Sequence, residues 1–210
     1  NMLRSIPFYG WILAVVLFAF QYGIYRFAVV LTEWTNTINY AFIPKIPFDD
    51  FIPLVPAFVI IYIFSYVFWI GGFIAASKTE KENYINFLFL FGISLVIGFL
   101  ILWLAPTKMD RNAEGLIDFI NSDKPFAWLL KMVYSADGGD MGWNLFPSYH
   151  CLISLCCYLA VFRRKEIHLG FRIYSFVMVI LISMSTVFTK QHYFVDILGG
   201  FAIPIIVYVF

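Results

Sequence analysis

The sequence predicts an all-α integral membrane protein of six transmembrane helices, with short interfacial helices between the third and the fourth. Three observations predict it. The 210 residues are 62% hydrophobic and only 13% charged, and the mean hydropathy of +0.84 lies far above that of soluble domains. Crossing a hydrocarbon layer of ~30 Å takes roughly 20 helical residues, and six stretches meet or approach that length, at 9 to 31, 51 to 76, 85 to 105, 143 to 162, 171 to 189 and 192 to 210. No repeat, low-complexity run or long linker separates them, so residues 1 to 210 read as one domain.

Asn1, ahead of Met2, reads as an extraneous residue. The first stretch is long enough to stay in the membrane rather than be removed as a signal peptide. It carries Gln21 and, near its outer end, Arg26, whose long side chain can snorkel to the headgroups. The second opens in DDFIPLVPAF, where Pro53 and Pro56 fit the first turn of a helix or a kink close to it. The third ends in LAPTKMDR, stopped by Pro106.

Asn112 to Asn144 forms the one long connection. Within it, GLIDFI and PFAWLLKMVY read as amphipathic pieces lying in the interface, with Trp128 and Tyr134 at headgroup depth. NLFPSYHC then leads into the fourth stretch. Pro147 suits a first helical turn and Ser148 a cap, which makes the free N–H groups there a natural anion site. The fifth and sixth stretches meet in STVFTKQHYFVDILGG, residues 185 to 200.

A formal net charge of +1 gives no reason to expect nucleic-acid binding, and the expected partners are the lipid bilayer and a membrane lipid substrate. Cys151, Cys156 and Cys157 share one apolar stretch and read as buried small apolar residues. The side holding the N-terminus carries seven Lys and Arg, from Arg4 through the Arg163, Arg164, Lys165 cluster to Arg172, against six on the other side. The clustering in a short loop, with His168 beside it, places both termini in the cytoplasm. The expected location is the plasma membrane, with the reactive end on the extracytoplasmic side.

The chemistry-bearing residues all fall on that outer side. In a helix, residues four apart share a face, so the Asp196 carboxylate can hold one nitrogen of His192 and make the other a better nucleophile. A carboxylate in a membrane helix is costly unless it is partnered or faces a cavity. Lys108 and Arg111 follow the third stretch, Ser148 and His150 lie at the mouth of the fourth helix, and His192 opens the last. Two cations, a helix N-terminus with a hydroxyl, two histidines and a carboxylate can hold a phosphate, attack its phosphorus and protonate the departing oxygen. The DGGD run at 137 to 140 reads as a tight turn, because the chain lacks the further carboxylates of a magnesium site; no metal or other cofactor is expected.

These residues resemble a known family. PSYH at 147 to 150, with Ser185, His192 and Asp196, is similar to the second and third signature motifs of the type 2 phosphatidic acid phosphatase (PAP2) superfamily, and PTKMDR at 106 to 111 resembles a shortened first motif. DDFIPLVPAFVIIYIFSY and STVFTKQHY further resemble the branch that includes inositol phosphorylceramide synthase-like proteins. The resemblance covers roughly residues 49 to 200. It implies that His192 is the nucleophile forming a phosphohistidine, that Asp196 orients it, and that His150 protonates the leaving group and then activates the acceptor. It implies that Lys108, Arg111 and Ser148 bind phosphate oxygens without a metal, with Ser185 in the third motif.

The chain departs from the pattern at Tyr149, where a glycine is usual and where the tyrosine could line the acceptor side. It departs again at Thr186, where an arginine is usual; Lys190 is the available substitute. The expected activity is a lipid phosphate or diphosphate phosphatase. A lipid phosphotransferase, passing the phospho-headgroup to a lipid or sugar hydroxyl, uses the same intermediate. A lipid transporter or scramblase would instead scatter ionisable groups along mid-membrane helix positions.

Overall fold

The computed structural model describes residues 8–137 and 139–210. Arg4, one of the orienting charges, and Gly138 of the DGGD run lie outside the described residues. The main helices are α1 (Phe8–Trp34), α2 (Val59–Ala76), α3 (Lys81–Leu104), α6 (Tyr149–Val161), α7 (Leu169–Phe188) and α8 (Phe194–Val209). Between α3 and α6 lie α4 (Leu116–Ile120), α5 (Ala127–Ala136) and two strands, β1 (Lys108–Asp110) and β2 (Met141–Trp143). Helices α1, α3 and α7, together with the segment Pro56–Ala76, are long and apolar enough to cross a membrane; α6 and α8 are shorter apolar helices.

The shortness of α6 follows from its place. Its 13 residues span only ~20 Å at 1.5 Å per residue, and every one except Tyr158 is buried. It is the axis of the bundle, packed against α2, α3, α7 and α8. Cys151, Cys156 and Cys157 are free and buried on it. A Cβ at Gly72 of α2 would stand 2.7 Å from the Cβ of Cys157, so small side chains set that helix separation.

Two helix starts and the depth of one aromatic side chain differ from the sequence expectation. The second helix begins at Val59 rather than 51, and residues 47–58 instead form a strap of two 3-10 turns, Pro47–Phe51 and Pro56–Phe58. Pro53 and Pro56 donate no N–H, and each pushes the residue before it out of the helical region; Ile52 and Val55 have ψ of 115° and 88°. The Val55 N–H is paired with Phe188 O at the end of α7, at 2.9 Å.

The fourth helix begins at Tyr149 rather than 143, because Met141–Trp143 pairs antiparallel with Lys108–Asp110. An otherwise all-helical chain thus carries a two-stranded ribbon, which pairs backbone groups that have no helix to satisfy them. Pro147 precedes the helix, and Ser148 occupies the N-cap position. Third, Tyr134 is buried at 1% exposure while Trp128 is 69% exposed. Six residues apart, they lie on different faces of α5, whose inward stripe is Ala127, Leu130 and Tyr134.

The C-terminal ends of α3 and α7, the N-terminal ends of α6 and α8, the strap and the ribbon meet at one end of the bundle. Two glycines of FVDILGG hold α8 there. A Cβ at Gly199 would overlap the Phe146 ring, and one at Gly200 would stand 2.6 Å from Ser148 O. Gly200→Ala is therefore expected to lower the unfolding temperature of the detergent-solubilised protein, at a cost of about 1–3 kcal/mol. Gly23→Ala, with nothing within 4 Å of the new Cβ, serves as the control that leaves it unchanged or slightly raised.

Candidate active site

The N-terminus of α8 fixes His192. Tyr193 is the N-cap residue and Asp196 the third helical residue, so the Asp196 carboxylate curls back to accept the Tyr193 N–H at 2.9 Å. The same oxygen lies 3.3 Å from Nδ1 of His192, leaving Nε2 as the untethered ring nitrogen. Asp196 is fully buried. Its main-chain carbonyl accepts the Ser148 N–H at 3.0 Å, which joins the start of α8 to the start of α6.

The loop before His192 is held from both sides. Thr186 O accepts the N–H groups of Gln191 and His192, at 2.9 and 3.1 Å. Lys190 has φ of 52°, a left-handed turn that sends its side chain outward onto the strap. Its Nζ donates to Ile52 O at 2.6 Å and to Asp49 O at 3.3 Å. Burial holds the Lys190 ammonium pKa below the ordinary lysine value. Asp49, itself buried, accepts the Phe194 N–H at 2.7 Å and the Ile46 N–H at 2.9 Å.

His150, in the first turn of α6, faces His192 with ring centroids 6.4 Å apart. Tyr62 stacks on it at 4.1 Å and Trp69 flanks it at 5.1 Å, while the Trp69 indole N–H donates to Ser154 at 2.9 Å. Aromatic packing thus fixes the ring plane. Its Nε2 and the Ser148 hydroxyl are buried without a partner.

Arg111 is completely buried and stacks over Tyr134 at 4.3 Å. One terminal nitrogen donates to Tyr134 O at 3.2 Å and to Gly139 O; the other donates to Asp137 at 3.1 Å and to Gln191 Oε1 at 3.2 Å. Its Nε and the Gln191 Nε2 are buried and unpartnered. The second Asp137 oxygen accepts from Tyr25 OH of α1 at 2.9 Å. Burial pushes the Asp137 carboxyl above the usual carboxylate range, against the opposing pull of Arg111. Asp140 enters this network only through its carbonyl, which accepts the Arg111 N–H at 3.0 Å.

The structure therefore gathers His192, Asp196, His150, Ser148 and, through Gln191, Arg111. It sets Lys108, Ser185 and Lys190 apart, while Tyr149 lines the same cavity as His150 and His192. Lys108 lies on the half-exposed side of β1, on the opposite face from the buried Met109. Tyr149 donates its OH to Leu95 O at 3.1 Å, with its ring against Gly98. The Ser185 hydroxyl bonds back to Ile182 O at 2.6 Å. Lys190 holds the strap.

Sequence reasoning passed over Gln191, Asp137, Tyr62 and Thr107. Gln191 adjoins His192 in TKQHY and could have been suspected as a buried amide; Thr107 gives no signal of its own. It is nonetheless fully buried. Its hydroxyl oxygen accepts the N–H groups of both Leu145 and Phe146 at 2.9 Å, and its carbonyl accepts the Asn144 N–H at 2.8 Å, shaping the turn that delivers Ser148.

His150, His192 and Asp137 line a cavity of about 450 Å³ whose opposite wall is Gln21, Tyr22, Tyr25 and Arg26 of α1. A helical, membrane-type fold thus places a buried His–Asp pair opposite a second histidine at the N-terminus of a central helix. The comparison with protein families gives it a name: residues 48–210 match the PAP2 superfamily, and the chain belongs to it. No curated protein matches this chain. No solved structure matches it either.

Thr107→Val removes the acceptor of two buried N–H groups and is expected to cost about 2 kcal/mol or more, read as a lowered unfolding temperature. Thr107→Ser keeps the oxygen and should retain most of the stability.

Proposed function

We propose that the protein is a membrane lipid phosphate or diphosphate phosphatase working through a phosphohistidine. The observation that carries this reading is the set of buried donors without acceptors around the His192–Asp196 pair: the Ser148 hydroxyl, Arg111 Nε and Gln191 Nε2. Buried donors without acceptors cost stability, and a phosphate would satisfy them together. The first-turn N–H groups of α6 add the partial positive charge of a helix N-terminus.

In this reading the Nε2 lone pair of His192 attacks phosphorus. The bond to the leaving oxygen breaks as His150, protonated for this step, gives that oxygen its proton. Asp196 compensates the positive charge that develops on the His192 ring. His150, now neutral, takes a proton from water, whose oxygen displaces His192 and releases phosphate. The charge stabilisation comes from Arg111, the hydroxyl and the amides, so the reading needs no metal. In the same reading all six main helices cross the bilayer, the Arg163, Arg164, Lys165 cluster faces the cytoplasm, and the end that carries the histidines is extracytoplasmic. A lipid or sugar alcohol in place of water makes the same site a phosphotransferase; the cavity volume beyond His150 favours keeping that reading.

The test is phosphate release from a panel of lipid phosphates in detergent with EDTA present, with a lipid alcohol added in parallel. Release that survives EDTA and falls at least about a thousandfold in His192→Ala is the expected result. Product appearing on the alcohol identifies the transferase. No phosphorus chemistry with any donor or acceptor would discard both and leave lipid transport as the working reading.

A further inference from the structure

Arg111 has five N–H donors in a fixed fork, and four are already used. Two are spent on the main-chain oxygens of Tyr134 and Gly139, one on Gln191 and one on Asp137. A phosphate held by Arg111 must therefore replace a present partner or make do with Nε alone. The partners differ in how easily they can leave. The two carbonyls are main-chain groups, Tyr134 in the last turns of α5 and Gly139 in the connection to β2, and Gln191 is 1% exposed on a loop tied to Thr186. Asp137 is the exception: its side chain is 26% exposed against 0% for Arg111, it lines the cavity beside His150 and His192, and it has a second anchor in Tyr25.

We infer that Asp137 is the stand-in anion of the phosphate site: it neutralises Arg111 in the empty protein, substrate phosphate takes its place, and Tyr25 keeps hold of the displaced carboxylate. This rests on the proposed function. Two observations support it. Arg111 is boxed in by Tyr134 at 4.3 Å and by Gly142, where a Cβ would lie 3.0 Å from its terminal nitrogen, so the guanidinium stays put and the carboxylate moves. Burial also disfavours the ionised form of Asp137, raising its pKa against the pull of Arg111, so the carboxylate is held less firmly than an ion pair at full strength would hold it.

Asp137 thereby sets the affinity of the site. The exchange costs one charge-assisted contact, and only an anion able to repay it, by engaging Ser148, Gln191 and the α6 N-terminus as well, gains from entering. Tyr25 sits in α1, ahead of the region shared with the PAP2 superfamily, so the threshold is set from outside the reacting residues.

The test uses orthovanadate as the phosphate probe against the full-length protein in detergent, with activity read as alcohol released from a lipid phosphate. Asp137→Asn removes the competing charge and should strengthen vanadate inhibition by about tenfold or more, the worth of one charge-assisted hydrogen bond. Tyr25→Phe leaves the displaced carboxylate without its second partner. It should weaken inhibition several-fold when Asp137 is present and have no effect in the Asp137→Asn background. Inhibition unchanged or weakened in Asp137→Asn would show that the carboxylate merely supports Arg111, and would overturn the inference. Should that variant fail to elute as a monodisperse species, Tyr25→Phe decides alone, unchanged inhibition overturning the inference. A parent protein that neither turns over a lipid phosphate nor responds to vanadate overturns the proposed function and this inference with it. An active, vanadate-sensitive parent with unresponsive variants overturns the inference only.

Discussion

The reactive end of this protein depends on one buried carboxylate. Removing a carboxylate from water costs several kcal/mol unless it is hydrogen-bonded and partnered; one oxygen of Asp196 meets that demand with the Tyr193 N–H and the His192 ring, while the other is buried without a partner. Because the Tyr193 amide belongs to the first turn of α8, the carboxylate cannot satisfy itself without starting that helix where it starts. Its carbonyl, in turn, accepts the Ser148 N–H, so the same residue sets the distance between the two segments that carry the histidines. A single residue thus couples a local helix cap to the long-range joint of α6 and α8.

Arg111 is the counterpart of opposite sign. Its charge is buried amid carbonyl oxygens, a carboxylate, an amide and a tyrosine face. In so poorly solvated a place a hydrogen bond is worth more and an unmade one costs more than at the surface. The ribbon, the strap and the Thr107 turn can be read as the scaffolding that such a centre requires. Each pairs backbone groups of the non-helical segments at this end, including the N–H of Val55, Leu145 and Phe146. Irregular chain is tolerated at depth only where protein or a cavity surrounds it.

Much of this was legible wherever the decisive contact is local. The pairing of His192 with Asp196 follows from their spacing on one helix, Ser148 sits at the N-cap position that its residue type suggests, and the apolar runs locate the helices to within a few residues at most ends. What stayed hidden depends on contacts distant in sequence or on the direction of a side chain. Two three-residue strands are too short for any periodicity to reveal. The apolar run continuing through Ile52, Leu54 and Val55 masked the two prolines that turn this stretch into a strap. Lys190 counted as one more cation at the right end of the chain, but its left-handed φ aims it away from His192. Likewise Tyr134 reads as an interfacial aromatic until α5 is docked, when its place on the buried face makes it the platform for Arg111.

Helix α1 contributes a wall of the cavity, yet it lies ahead of residues 48–210, the part shared with the wider family. Under the proposed reading, α1 therefore adds to a chamber whose other walls, among them Tyr62, Tyr66 and Trp69, come from the shared region itself. Substitutions at Gln21, Tyr22 and Arg26 alter the shape and polarity of the chamber without touching the cap or the joint, whereas Tyr25 also reaches the buried charges through Asp137. A change of preference in such a chamber needs only new side chains on the amino-terminal helix, with the elements that hold the two histidines left as they are.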